Sequence, residues 1–173
     1  MTTTPVTGSG SRGSGPTPNE PANDDLLDRL LIEQRISTLG RCLDERDFEA
    51  LRTVFTEDAT VRTPGGTATG HDALVDQARR RHSADQGIQH LITNMLVELH
   101  GDQAAVRANL LVSFAPTGVT DPAPLLLGEV YRFTLRRTPD HWQITTLTAA
   151  PIWSLNRPPP ATPTPAPSIK EEQ

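Results

Sequence analysis

The apolar residues in the first third of the chain recur every three or four positions, which is the spacing of one face of an α-helix. Between Asp24 and Asp44 this stripe consists of Leu27, Leu31, Ile32, Ile36, Leu39 and Leu43. Asp24 is a suitable N-cap, because its carboxylate can accept hydrogen bonds from the free amides of the first turn. The pattern therefore predicts an amphipathic helix of about 20 residues that ends at Asp44.

Two shorter helices and one strand are predicted to follow. Asp47 is a candidate N-cap for a short helix whose apolar side contains Phe48, Leu51, Val54 and Phe55. Residues 59–63 have strand character, and the Pro-Gly-Gly sequence at 64–66 predicts a turn after them. A third helix is predicted over residues 70–83.

The rest of the chain has the composition of strands. Four segments are rich in Val, Ile, Leu, Thr and aromatic residues, and Gly, Pro and Asp separate them: 89–99, 104–114, 128–137 and 142–153. Four strands joined by short reversals predict an antiparallel meander. Three helices followed by a curved sheet indicate an α+β fold, in which the helices cover one face of the sheet.

Both ends of the chain have a different composition. Residues 1–23 contain four prolines and four glycines, with Val6 as the one large apolar side chain apart from the initiating Met1. Residues 157–173 contain six prolines. Such segments bury too little apolar surface to offset the entropy cost of ordering, so we expect two disordered tails around one domain over residues 24–156.

Charge and cysteine content restrict the possible functions. The net charge is −5, so binding to nucleic acid is not expected; the three consecutive arginines at 79–81 are read as a solvated helix face. The chain has one cysteine, Cys42, and five scattered histidines, so we expect no disulfide and no metal. With no secretory signal or membrane span in the sequence, a cytoplasmic protein that does not bind membranes is expected.

Several segments together resemble one family. Residues 55–61 and 70–74 read FTEDATV and GHDAL, similar to the F-x-x-D-A and G-x-x-a-l elements of SnoaL-like domains. Residues 89–94 and 99–104, QHLITN and LHGDQA, resemble the family's H-x-x-x-N and G-D-x-A strand pair. Residues 131–144 resemble its penultimate strand, turn and Trp-led last strand. The chain is thus similar to the SnoaL-like domains of the nuclear transport factor 2 superfamily.

The resemblance implies a cone-shaped curved antiparallel sheet, covered by three N-terminal helices, around one deep apolar pocket. Its implied partner is a small apolar molecule held there without a cofactor, and we expect a homo-oligomer formed through the sheet. In the branch with scytalone dehydratase, bile-acid dehydratase and hexachlorocyclohexane dehydrochlorinase, an Asp that ends the first helix pairs with a pocket histidine. Asp44 and His90 stand at those positions.

The chemistry of this pair is reasonable. An imidazole titrates near neutral pH and can take a proton from carbon, while a carboxylate on its far nitrogen fixes the tautomer and stabilises the imidazolium. The ordinary alternative is a surface carboxylate and a core histidine. Asp47 is the rival carboxylate, although capping already explains it. Asn94, four residues beyond His90, is predicted to share its strand face and line the pocket with Leu39 and Tyr131.

Two positions depart from the dehydratase pattern. Leu39 stands where those enzymes have a tyrosine, and Gly128 stands where scytalone dehydratase has a second pocket histidine. Unless Tyr131 or Glu129 supplies the acid that dehydration needs, the loss of a better leaving group, isomerisation or simple binding becomes more plausible.

The sequence therefore predicts a cofactor-independent lyase or isomerase that acts on a small apolar metabolite or xenobiotic, with His90 as base and Asp44 orienting it. A second possibility is a non-catalytic ligand-binding or protein-interaction module of the same fold. A polyketide cyclase or an epoxide hydrolase is a third, although the Asp-Arg-Asp arrangement of limonene-type epoxide hydrolases has no counterpart in the sequence.

Overall fold

The computed structural model describes residues 20–119 and 123–156, with side chains from residue 24 onward. Three helices are present in this part: α1 (Glu20–Asp44), α2 (Leu51–Val54) and α3 (His71–Arg81). The strands are β1 (Phe55–Thr63), β2 (Gly66–Thr69), β3 (Gln86–His100), β4 (Gln103–Pro116), β5 (Leu125–Arg137) and β6 (Trp142–Leu155). The predicted α+β class and the order of its elements are confirmed. Most of the two predicted tails lies outside the described residues.

The strands form one curved sheet that does not close, in the order β2-β1-β6-β5-β4-β3. β3 to β6 form the predicted antiparallel meander, and β1 joins it parallel to β6. The ladders of β3 with β4, β5 with β6 and β1 with β6 each contain register shifts. Such bulges add local twist and bending, which suits a sheet that curls around a pocket.

The core lies between the concave face of this sheet and the helices. Alternate residues of β4 are buried, as the two-residue period of a strand requires: Ala104, Val106, Ala108, Leu110 and Val112. On the helical side of the same core, the α1 stripe contains Ile32, Ile36 and Leu39, each at most 2% exposed. Burial of these apolar faces is the main force that holds α1 against the sheet.

Some boundaries differ from those predicted. α1 begins at Glu20, four residues before the predicted cap at Asp24, and Pro21 falls in its first turn, where a missing N–H breaks no helical hydrogen bond. Phe55 begins β1 instead of ending the second helix. The short strand β2 was not predicted, because Gly66 to Thr69 has neither a long apolar run nor a clear alternation.

Within the described residues, no helix combines the length and the apolar character that crossing a membrane would need.

One buried charge attaches α1 to the far end of the sheet. Asp28 is 6% exposed; it accepts a bond from the indole nitrogen of Trp142 at 3.0 Å and from the guanidinium of Arg137 at 2.7 Å. The Arg137 guanidinium also lies 4.6 Å above the Trp142 ring. The hydrogen bonds from Arg137 hold the pKa of Asp28 below its ordinary value, despite the opposing effect of burial.

We expect Asp28→Ala to lower the free energy of unfolding by about 2 kcal/mol, because it leaves the Trp142 donor and part of Arg137 without an acceptor. Asp102 binds the same arginine from an exposed position, at 3.1 Å, so Asp102→Ala should cost less than about 0.5 kcal/mol. Since the pKa of Asp28 is lowered on folding, its contribution should be present above about pH 4 and disappear as the pH falls further. Urea denaturation at pH 7 and pH 3 measures both effects. Equal losses of unfolding free energy in Asp28→Ala and Asp102→Ala would contradict this account.

Candidate active site

The end of α1 is fixed beside the start of β3. The helix stops at Asp44, and Arg46 follows in the left-handed region with a φ of 57°, a conformation that commonly ends helices. The guanidinium of Arg46 donates to the carbonyl of Ser83, at 2.6 Å, and to that of Gln86, where β3 begins. Asp44 therefore occupies the last helical position, directed towards β3.

Asp44 binds His90 through both its backbone and its ring. β3 is the last strand of the sheet, so amides on its outer side have no strand partner. The amide of His90 donates to the Asp44 carboxylate at 2.9 and 3.2 Å, and Nδ1 of His90 lies 2.7 Å from Oδ1 of Asp44. The His90 side chain is 4% exposed and that of Asp44 25% exposed.

These contacts fix the protonation state of His90. Because a carboxylate only accepts hydrogen bonds, Nδ1 carries the proton and Nε2 keeps its lone pair in the neutral ring. Within the described residues the buried side-chain nitrogen and oxygen atoms that lack a partner belong to Arg46, Thr56 and His141, so Nε2 of His90 is not sealed inside protein. Burial lowers the pKa of His90 and outweighs the opposing hydrogen bond from Asp44. The imidazole is therefore a neutral base at pH 7.

His90 lies in the wall of a cavity of about 200 Å³ between the sheet and the helices. Most of the wall is apolar and includes Leu39, Leu43, Leu51, Phe55, Leu74, Leu110, Val112, Phe114, Leu127 and Leu147. The polar side chains in this wall are Thr63, Gln77, Arg81, His82, His90, Glu129 and Tyr131, of which Arg81 is exposed. A small apolar cavity with a few polar groups is typical of a site for a small molecule.

Tyr131 is a hydrogen-bond donor in this wall. It is buried, and its ring packs edge-on against Phe133 with ring centroids 5.7 Å apart. Burial raises the pKa of Tyr131 far above its ordinary value, and the negative charge of Glu129 raises it further. The phenol therefore keeps its proton across the physiological pH range and can donate to a ligand oxygen. Leu39 and Tyr131, both predicted to line the pocket, lie in its wall.

Asn94 does not share the face of His90, contrary to the prediction. It lies at the register shift of β3 between Thr93 and Leu96, with a φ of 53°, and its side chain is exposed. Before this bulge His90 and Ile92 face inward; after it Met95 and Val97 do. The extra residue reverses the alternation, so counting four positions from His90 gives the wrong face. Asn94 is absent from the cavity wall.

The other residues considered in the sequence have structural roles. The Asp47 carboxylate accepts from the amide of Ala50, at 3.3 Å, in the turn that leads into α2. Cys42 is fully buried and burial raises its thiol pKa, so the thiol is unreactive. Nε2 of His71 lies 3.0 Å from the carbonyl of Phe55. Across the described part of the chain, no three His, Cys, Asp or Glu side chains are grouped as a metal site would require.

Nothing in the amino-acid sequence indicates that His82 belongs to the site. It follows the last residue of α3, and its ring lies in the cavity wall, 5.6 Å from the ring of His90. α3 packs on β1, β2 and α2, and only this tertiary packing brings the ring at its end beside His90. No local pattern distinguishes this position from an exposed helix end.

Fold and site together define a cone-shaped α+β domain with an Asp-His pair in an apolar pocket. The model of the SnoaL-like domain family matches residues 24–148, and the chain belongs to this family. An uncharacterised Mycobacterium tuberculosis protein is 28% identical over 124 residues, 69% of this chain and 82% of that protein.

Solved structures agree on the fold. The proposed scytalone dehydratase of Novosphingobium aromaticivorans superposes with a TM-score of 0.72 at 21% identity, covering 81% of this chain and 94% of that one. A type 2 hexachlorocyclohexane dehydrochlorinase gives 0.70 at 20% identity, with coverage of 83% and 98%. A nuclear transport factor 2-like protein with a cystatin-like fold, also from N. aromaticivorans, gives 0.68 at 29%, covering 81% and 92%.

Proposed function

We propose that this protein is a cofactor-independent lyase or isomerase that removes a proton from carbon in a small apolar molecule. The observation that carries the proposal is the way in which the His90 imidazole is held. Its Nδ1 is held by Asp44 at 2.7 Å, while Nε2 remains a free acceptor in the wall of an apolar cavity. A buried, neutral and oriented imidazole is suited to general base catalysis.

The roles of the three residues follow from their environments. Nε2 of His90 takes the proton, and the C–H electron pair moves towards the neighbouring carbon. In a lyase a leaving group departs from that carbon; in an isomerase the proton returns to another carbon of the conjugated system. Asp44 stabilises the imidazolium formed in between. Tyr131 donates to an oxygen on which negative charge develops.

The comparisons support this class of reaction. Two structures with the same fold are a proposed scytalone dehydratase and a hexachlorocyclohexane dehydrochlorinase, both named for eliminations. Because their identity to this chain is low, these structures support only the fold. The proposed chemistry rests on the geometry of Asp44 and His90.

A non-catalytic binding module is the alternative. It is favoured by the apolar side chain of Leu39, which stands in the cavity wall where the dehydratase pattern has a tyrosine. A cyclase or an epoxide hydrolase has no specific observation in its favour, since the cavity wall contains no aspartate.

Proton exchange in deuterated buffer separates catalysis from binding. A panel of small apolar ketones with an acidic C–H bond is incubated with the protein, without any added cofactor, and deuterium incorporation is followed by NMR. We expect the protein to make at least one ketone exchange faster than it does in buffer alone. His100→Ala is the control, because His100 is an exposed histidine outside the cavity wall, and this variant should be as active as the wild type. Ketones that bind by calorimetry without faster exchange would indicate the binding module.

We also propose that copies of the chain associate through the outer face of the sheet. Leu91 of β3, Leu111 of β4 and Gly128 of β5 are consecutive partners across the ladders, and the Trp153 indole of β6 covers Gly128. Leu91, Leu111 and Trp153 are all exposed. An exposed apolar row of this kind is typical of a protein contact. Sedimentation equilibrium tests it, and a monomer at micromolar concentration would contradict it.

A further inference from the structure

His82 forms a second polar group in the cavity, beside the proposed base. Its ring lies among three others, with centroid distances of 5.7 Å to Phe48, 5.6 Å to His90 and 6.4 Å to Phe114. These rings come from the segment after α1, from β3 and from β4, so the position of His82 is fixed from several sides. Like His90, it lies in the cavity wall.

The hydrogen bonding of His82 leaves one nitrogen for a ligand. Nδ1 lies 2.7 Å from the carbonyl of Ala78; because a carbonyl only accepts, Nδ1 carries the proton and Nε2 is an acceptor in the neutral ring. Among the described residues Nε2 has no hydrogen-bond partner and is not one of the atoms sealed inside protein. An acceptor of this kind in an apolar wall is available to a donor on a ligand.

The charges around His82 favour its neutral form. Burial has the largest effect and lowers its pKa, and the nearby His90 and Arg46 lower it further. The Ala78 carbonyl and the Asp44 carboxylate act in the opposite direction but do not outweigh burial. At pH 7 the cavity therefore presents two neutral imidazoles, each with Nδ1 bound to protein and Nε2 free.

We propose that His82 is a specificity-determining residue whose Nε2 accepts a hydrogen bond from a hydroxyl group of the ligand. The ligand is then an apolar alcohol or phenol whose hydroxyl lies within a few atoms of the carbon on which His90 acts. That last relation rests on the proposed function, whereas hydroxyl recognition by His82 does not. A ligand without the hydroxyl leaves Nε2 desolvated and unpaired, which weakens its binding.

Two matched probes test this recognition: 2-naphthol, which carries a hydroxyl group, and 2-methoxynaphthalene, which has the same bicyclic ring but no donor. Calorimetry gives both dissociation constants at pH 7. The wild type should bind the naphthol about tenfold more tightly. His82→Asn places an amide N–H near the position of Nδ1 and removes the acceptor, so the preference should disappear. His82→Gln extends its amide towards the position of Nε2 and should recover part of it.

Further variants assign the effect to His82. His82→Phe keeps the ring packing if the Asn variant is unstable, and it should also lose the preference. His90→Ala should keep it, because the hydroxyl is bound by the other ring. Failure of 2-naphthol to bind the wild type, equal affinities of the two probes there, persistence of the preference in both His82→Asn and His82→Phe, or its loss in His90→Ala would each overturn the proposal. The test does not involve turnover, so an inactive protein that keeps the preference would refute the proposed reaction alone.

Discussion

Replacing His90 with Ala is expected to lower kcat/KM for any substrate of the proposed reaction by at least ~100-fold, because the group that accepts the proton is removed. The side chain is 4% exposed and its ring packs on His82, so some loss of stability accompanies the change. Steady-state kinetics on variants that thermal melting shows to be folded at the assay temperature measure the effect.

His71→Ala is the matched control. His71 is also a partly buried histidine with a backbone carbonyl partner, the carbonyl of Phe55, but it is absent from the cavity wall. Its replacement should change stability and leave kcat/KM within about threefold of the wild type. Retention of full activity by folded His90→Ala would remove His90 from the mechanism and favour the binding module.

Asp44→Asn should reduce kcat by about 100-fold with a small change in KM. The amide keeps an oxygen for the His90 backbone N–H, so the bonds at 2.9 and 3.2 Å can be partly preserved. It cannot stabilise a positive imidazolium, and an amide turned the other way selects the wrong tautomer. Because the carboxylate raises the pKa of His90, its loss should also move the acid limb of kcat/KM to lower pH.

Asp47→Asn is the matched control for this change. The two carboxylates are three positions apart, but Asp47 binds the amide of Ala50, at 3.3 Å, and takes no part in the cavity wall. Full activity in the Asp47 variant and loss in the Asp44 variant would assign the function to Asp44. The reverse result would show that the wrong carboxylate had been chosen.

The fold was predictable because local patterns agree with tertiary burial. The stripe containing Ile32, Ile36 and Leu39 is the buried face of α1. The alternating apolar residues of β4 lie on the concave face of the sheet, which is also buried. The strand β2 was missed since it is four residues long and is held mainly by pairing with β1. Parallel pairing of β1 with β6 connects distant segments and leaves no local sequence signal.

The site was predictable only in part. Asp44 and His90 could be selected from the family resemblance, but helical periodicity alone places Asp44 away from the buried stripe. The end of α1 at Asp44 and the left-handed Arg46, with its φ of 57°, bring it to β3, and an arginine is not a residue that predicts such a cap. The position of Asn94 was wrong because a bulge reverses the face without any Gly or Pro to mark it.

The protonation state of His90 tests the central claim most directly. Histidine labelled with ¹⁵N allows the long-range ¹H–¹⁵N spectrum of each ring to be followed from pH 5 to pH 8, with His90→Ala used to assign its signals. The account predicts that His90 is neutral at pH 7, protonated on Nδ1 and not on Nε2, and that it titrates below about pH 6.5. A ring protonated on Nε2 at pH 7, or one that is charged there, would contradict a base held by Asp44.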